Sequence, residues 1–145
     1  MENKLKLEFY KAENNSKLSL PLFSAHVQAG FPSPADDYVE KKLDLNELLI
    51  KHPAATFFVR VEGDSMIDAD IKSGDVLIVD RACTPLDNKI VVAVLNGEFT
   101  VKRIHKKDAQ LFLLPENPNF PPIEVTQEMD FEVWGVVTYI IHKAT

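Results

Sequence analysis

A mostly β fold, a partly open antiparallel barrel or sheet with one short helix, is predicted by three observations. From residue 56 onward the apolar residues keep strand period. Gly, Pro, Asn and Asp cut them into short segments, and only one stretch carries helix start and stop signals. With 145 residues, 46% of them apolar, the chain is long enough for one packed core and too short for two ordinary domains.

The first 35 residues are mixed in character, with Asn14-Asn15-Ser16 as a break and Pro21, Pro32 and Pro34 as punctuation. Leu5, Leu7 and Phe9 alternate as in a short strand, but nothing continues the pattern, so this part reads as a flexible or loosely docked arm. A helix is expected from Asp44 to His52: Asp44 caps it, Leu45, Leu48 and Leu49 form an apolar stripe, and Pro53 stops it.

Strands follow. Thr56 to Val61 is β-branched and aromatic and ends at Gly63-Asp64; Ser73-Gly74-Asp75 then turns the chain into Val76 to Val79. Ile90 to Leu95 and Phe99 to Ile104 flank Asn96-Gly97, whose two residues supply the positive φ angles of a type I′ hairpin turn. Leu111 to Leu114 and Ile123 to Val125 are separated by prolines. Phe131 to Ile141 is a long last strand in which Gly135 permits a bend. Trp134 and this aromatic-rich strand read as core or as a dimer interface.

Composition excludes several classes. No apolar run approaches the roughly 20 residues of a membrane span, and the charged N-terminus lacks a signal core, so a cytoplasmic protein is expected. One cysteine, Cys83, agrees with a reducing compartment. The net charge of −6, with no Lys/Arg run longer than two, argues against direct duplex DNA binding; a role on DNA would run through a protein partner. Asp64, Asp68, Asp70 and Asp75 miss the calcium-loop spacing, no His/Cys metal pattern stands out, and nothing suggests a cofactor.

Two residues carry the candidate chemistry. Ser65, in Gly63-Asp64-Ser65-Met66, sits on a turn after a hydrophobic strand, where a serine is well placed as a nucleophile. Its hydroxyl needs a base, and none of His26, His52, His105 or His142 stands in a suggestive motif. Lysine serves if burial lowers its pKa, and Lys102, mid-strand in an apolar hairpin, is the strongest candidate. Alternation puts Lys102 on one face with Glu98, Thr100 and Ile104, and the more apolar Phe99 and Val101 on the other, so its burial has to come from tertiary packing. Upstream, Ala29-Gly30 lies in a proline-flanked stretch whose small residues let an extended chain reach a recessed serine. Taken alone, a polar turn, an exposed hairpin lysine and an ordinary linker are the commoner readings of these three features.

A longer set of matches changes that balance. Gly63-Asp64-Ser65-Met66-Ile67-Asp68, Ser73-Gly74-Asp75 and Gly97-Glu98-Phe99-Thr100-Val101-Lys102 resemble the self-cleaving serine-lysine protease domain of the LexA/UmuD (peptidase S24-like) family. From about Pro21 the likeness to the UmuD branch is nearly continuous, through Val27-Gln28-Ala29-Gly30-Phe31-Pro32-Ser33-Pro34-Ala35 and Asp44-Leu45-Asn46-Glu47-Leu48-Leu49-Ile50. The resemblance implies Ser65 as nucleophile, Lys102 as general base, backbone amides of Ser65 and Met66 at the oxyanion, and a cut between Ala29 and Gly30. That cut divides the chain into an arm, 1–29, and a protease and dimerisation domain, 30–145. UmuD proteins often carry cysteine before the scissile bond; here Ala29 stands there, as in LexA-type repressors.

The resemblance further implies a homodimer of the SOS mutagenesis response that is cleaved on a RecA–single-stranded DNA filament. The shortened form would then join a UmuC-type polymerase in translesion synthesis. Ser19-Leu20-Pro21-Leu22-Phe23 is similar to peptides that dock in a bacterial sliding clamp; alternatively Leu20, Leu22 and Phe23 pin the arm to the domain. Three rival readings stand beside this one. A repressor of the same family needs a DNA-binding domain in the 29 residues ahead of the cut, and a signal peptidase needs a membrane anchor. A non-catalytic β-rich adaptor would leave Ser65 and Lys102 incidental.

Overall fold

The structure, a computed structural model, describes residues 6–12, 19–23, 39–63, 66 and 69–144. Among them, strands β1 (Lys6–Lys11), β2 (Ser19–Phe23) and β3 (Val39–Asp44) precede the helix α1 (Leu45–Leu49) and a 3-10 turn (Pro53–Ala55). Then come β4 (Thr56–Glu62), β5 (Val76–Asp80), β6 (Ile90–Leu95), β7 (Glu98–Lys107), β8 (Gln110–Leu114), β9 (Ile123–Val125) and β10 (Phe131–Ile141). Eight strands form one antiparallel sheet in the order β1-β4-β5-β10-β6-β7-β8-β9, and β2 pairs separately with β3.

The eight-stranded sheet curls into an open half-barrel. Four strands separate β1 from β7, so a flat sheet with strands about 4.8 Å apart would hold them about 24 Å from each other. Yet the rings of Phe9 on β1 and Phe99 on β7 lie 4.7 Å apart, and Phe9 also meets Trp134 of β10 at 4.8 Å. Trp134 therefore belongs to an aromatic cluster inside the curl, with Phe57 5.0 Å away and the Arg81 guanidinium stacked on it at 4.7 Å.

Alternation divides the core in two. One cluster joins Val59, Val61, Met66, Ile71, Leu77, Val79, Val92 and Val101; the other joins Val91, Ala93, Ile104, Leu113 and Val136. Neighbours along β6 and β7 thus point into different clusters, so both faces of this hairpin are covered. The hairpin itself follows the turn chemistry: Asn96 has φ +49° and Gly97 φ +83°, and Leu95 pairs with Glu98. Gly135 allows close approach as well as a bend. A Cβ there would lie 2.6 Å from Val79 Cγ1, and the β10–β6 register shifts between Val133 and Gly135.

Two expectations need correction. The helix begins as expected, with the Asp44 side chain accepting from the Asn46 N–H at 3.0 Å, but it ends at Leu49 instead of running to His52. Leu45 and Leu48 are exposed and no helix residue is buried; the buried side chain is Ile50, which takes an extended backbone just after the helix. Pro53 opens the 3-10 turn instead of stopping the helix. The Leu7 and Phe9 alternation is also part of something longer: β1 pairs with β4 over six positions, Lys6↔Glu62 to Lys11↔Phe57.

Candidate functional site

Lys102 lies in the middle of β7, opposite Val91 of β6, on the face it shares with Thr100 and Ile104. Its exposure is 8%, because Val91, Ile104 and Val136 build an apolar cluster on this face as the sheet curls. The burial that strand alternation could not supply therefore comes from the second cluster. Nζ donates to Thr100 Oγ1 at 2.7 Å and to the Val101 carbonyl at 3.2 Å. Burial lowers the pKa of this amine from 10.5 to about 8, since loss of water disfavours the ammonium form. At pH 8 such a side chain is about half neutral and able to take a proton.

Arg103, next along the strand, is engaged elsewhere. It pairs with Glu116, and Nη1 donates to the Asn88 carbonyl at 2.6 Å. Guanidinium stays protonated in proteins, so the arginine offers an anchor and no base.

Asp64 and Ser65 lie outside the described residues, as do Ala29 and Gly30. The residues on either side of Asp64-Ser65 are described. Gly63 ends β4 with φ +118°, and its N–H donates to Ser73 Oγ at 3.2 Å. Met66 is buried at 1% exposure in the same cluster as Val101, the residue preceding Lys102. The Met66 carbonyl accepts from the Ala69 and Ile71 N–H groups, and its sulfur from the Glu116 N–H at 3.4 Å. Met66 is thereby held against β7 through Val101 and against Glu116, just beyond β8.

The described histidines pair with carboxylates away from Lys102. His142 Nδ1 is 2.7 Å from Asp75 Oδ1, His105 Nδ1 is 3.7 Å from Asp87, and His52 Nδ1 is 2.5 Å from Asp80 Oδ2. Burial pushes the Asp80 carboxyl up, but hydrogen bonds from His52, from the Ala82 N–H and from Cys83 outweigh it and hold the group below the usual carboxylate range. Burial, reinforced by Asp80, raises the Cys83 thiol, so it is a poor thiolate nucleophile.

His52, Asp80 and Cys83 bring three side chains of metal-ligand type within 4.8 Å of one another, a cluster that the sequence does not announce because His52 stands 28 positions from Asp80. The only local trace is the Asp-x-x-Cys spacing of the last two. Leu20, Leu22 and Phe23, the candidate clamp-binding residues, lie in β2, with Leu20 opposite Leu43 and Phe23 opposite Val39. Among the described residues no helix is long and apolar enough to cross a membrane.

The sequence matches the family described as Peptidase S24-like over residues 21–138. Protein SamA of Salmonella typhimurium is 50% identical over 123 residues, covering 85% of each chain. Protein MucA of Escherichia coli is 41% identical over 137 residues, covering 93% of each. LexA repressor 1 of Geobacter sulfurreducens is 39% identical over 127 residues, which span 87% of this chain and 62% of the repressor.

Proposed function

The chain belongs to the peptidase S24-like family of self-cleaving peptidases, among its UmuD-like members, and from that premise we propose that Ser65 and Lys102 cut the Ala29–Gly30 bond of this protein. The observation that carries this reading is the amine of Lys102, buried in an apolar cluster with its pKa lowered to about 8. A lysine held that way has no surface role to play, and it is suited to deprotonate a hydroxyl near neutral pH.

In the proposed reaction neutral Lys102 removes the Ser65 proton and the alkoxide attacks the Ala29 carbonyl carbon. Backbone N–H groups of Ser65 and Met66 stabilise the oxyanion. The Lys102 ammonium then protonates the Gly30 nitrogen as the peptide bond breaks, leaving an ester on Ser65. Water, deprotonated by the again neutral Lys102, hydrolyses that ester and restores the serine. The products are an arm, 1–29, and a domain, 30–145, that dimerises.

The physiological reading follows the UmuD-like family. A RecA–single-stranded DNA filament shifts the population toward the conformer with the arm in the site, and the shortened dimer joins a UmuC-type polymerase for translesion synthesis. Leu20, Leu22 and Phe23 offer a sliding clamp an extended apolar segment.

Mass spectrometry of the purified full chain, incubated from pH 6 to 10 with and without RecA filaments, tests this. The expected fragment starts at Gly30 and is missing from Ser65→Ala and Lys102→Met proteins. Persistent intact chain under every condition would make the protein a non-catalytic adaptor. Cleavage of Ser65→Ala, or a different new N-terminus, would overturn the assignment of residues.

A further inference from the structure

We propose that His52, Asp80 and Cys83 form a binding site for a divalent zinc-type cation, placed at the Thr56–Asp80 end of the β4–β5 ladder. One donor atom from each residue falls within 4.8 Å of the other two. The set contains an imidazole, a carboxylate and a thiol, the three donor types zinc favours, and their combined charge with the thiol deprotonated is −2, matching the cation. Zinc bonds of about 2.0–2.3 Å in tetrahedral geometry put donors about 3.3–3.7 Å apart. The present separations bracket that range, 2.5 Å between His52 Nδ1 and Asp80 Oδ2 and at most 4.8 Å between any two donors.

The backbone around the three residues is already fixed. Asp80 is 3% exposed and pairs with Thr56 in the β4–β5 ladder, and the Arg81 N–H donates to the Ala55 carbonyl at 2.9 Å. Thr56 Oγ1 donates to the His52 carbonyl at 2.8 Å, and so does the Ala55 N–H at 2.9 Å. These bonds lock segment 52–56 onto segment 80–82. Asp80 Oδ1 accepts from the Ala82 N–H at 2.8 Å, which orients the carboxylate and leaves Oδ2 facing His52. Such outer support is what keeps metal ligands in place. Half of the His52 side chain is exposed, so a cation and a fourth, water ligand have access.

Proton balance is simple. Zinc replaces the thiol proton of Cys83, which leaves to solvent. When His52 Nδ1 takes the metal, any proton on that nitrogen moves to Nε2 or leaves to solvent. No redox step is involved, and the residues of the proposed cleavage take no part.

The chain contains a single cysteine, so its alkylation reports on this site alone. The test uses the untagged full chain, titrated with zinc by calorimetry and with cobalt(II) by absorption. The expected results are one ion per chain, a sulfur-to-cobalt charge-transfer band with tetrahedral d–d bands, and alkylation of Cys83 slowed by zinc. Losing an outer-shell partner already costs about 10–100-fold in metal affinity, so Cys83→Ser and His52→Ala should each weaken binding at least that much. In His52→Ala, zinc should no longer shield the thiol. No uptake at micromolar zinc, unchanged affinity in Cys83→Ser, or one ion per two chains bridged through their cysteines would each overturn the proposal.

Discussion

Lys102 Nζ lies 2.7 Å from Thr100 Oγ1, two positions back on the same face of β7, and this hydroxyl is the only side-chain partner the amine has among the described residues. A threonine oxygen accepts from an ammonium and its O–H can donate to a free amine, so the pair persists through deprotonation. Replacing Thr100 with valine removes an acceptor from the charged form. Hydrogen bonds to charged groups contribute about 1.5–3 kcal/mol against about 0.5–1.5 for neutral pairs, and only that difference moves the equilibrium, so the Lys102 pKa should fall by roughly one unit. The expected outcome is a self-cleavage profile with its midpoint moved to lower pH and a reduced plateau. An unmoved midpoint would mean that the hydroxyl does not act on the amine.

The pH profile of the unaltered protein follows from the lowered pKa. Below about 8 the neutral fraction of Lys102 grows tenfold per pH unit, and above it the fraction saturates. Cleavage without any activator should therefore rise about tenfold from pH 6 to 7 and flatten beyond pH 8 to 9. Fragment yields from a series of buffers at constant ionic strength check this, and a flat rate between neutral and alkaline pH contradicts it.

Stability has the complementary pH dependence. A lysine with pKa 10.5 when unfolded and about 8 when folded binds more protons in the unfolded chain between those values, so stability rises as pH climbs through that window. Below pH 8 the full cost applies, about 3 kcal/mol. Lys102→Met should abolish self-cleavage and leave a protein at least as stable at pH 7, with the rise between pH 8 and 10.5 removed. Urea titrations of a Ser65→Ala protein with and without the second change isolate the effect. Lys102→Arg should restore no cleavage, because guanidinium cannot give up its proton.

Two glycines separate crowding from backbone strain. At Gly135 a Cβ would stand 2.6 Å from Val79 Cγ1, and Val79 is a fully buried β-branched side chain without room to move. Gly135→Ala should cost about 1–3 kcal/mol through overpacking. At Gly97 no atom lies within 4 Å of an added Cβ, and only its φ of +83° resists substitution. Gly97→Ala should cost about 1 kcal/mol. Chemical denaturation of both variants tests the ranking; a larger loss at Gly97 would contradict it.

Local chemistry made much of this legible in the sequence. The turn at Asn96-Gly97, the last strand and the Asp44 cap depend on neighbours a few residues apart, and each formed where its residue types require. The extent of the helix was not legible, because Leu45 and Leu48 looked like a stripe only until the fold left them exposed. For Lys102, strand period named its face and its companion Thr100, but whether that face is covered depends on how far the sheet curls. The cluster of His52, Asp80 and Cys83 depends on the β4–β5 ladder, which no spacing rule reveals across 28 positions. For Ser65 and the Ala29–Gly30 bond the sequence still speaks alone, since they lie outside the described residues.

The first strand has a consequence for what hydrolysis can accomplish. The proposed cut after Ala29 would sever covalent continuity, yet β1 lies upstream of that bond, paired with β4 over six positions and holding Phe9 against Phe99 and Trp134. A nicked molecule thus keeps its old border until the freed peptide peels away. Only that departure would bare the β4 margin, with its vacant donors and acceptors beside an aromatic floor, to an incoming extended segment. Bond scission would then set a clock, and peptide escape would strike the hour.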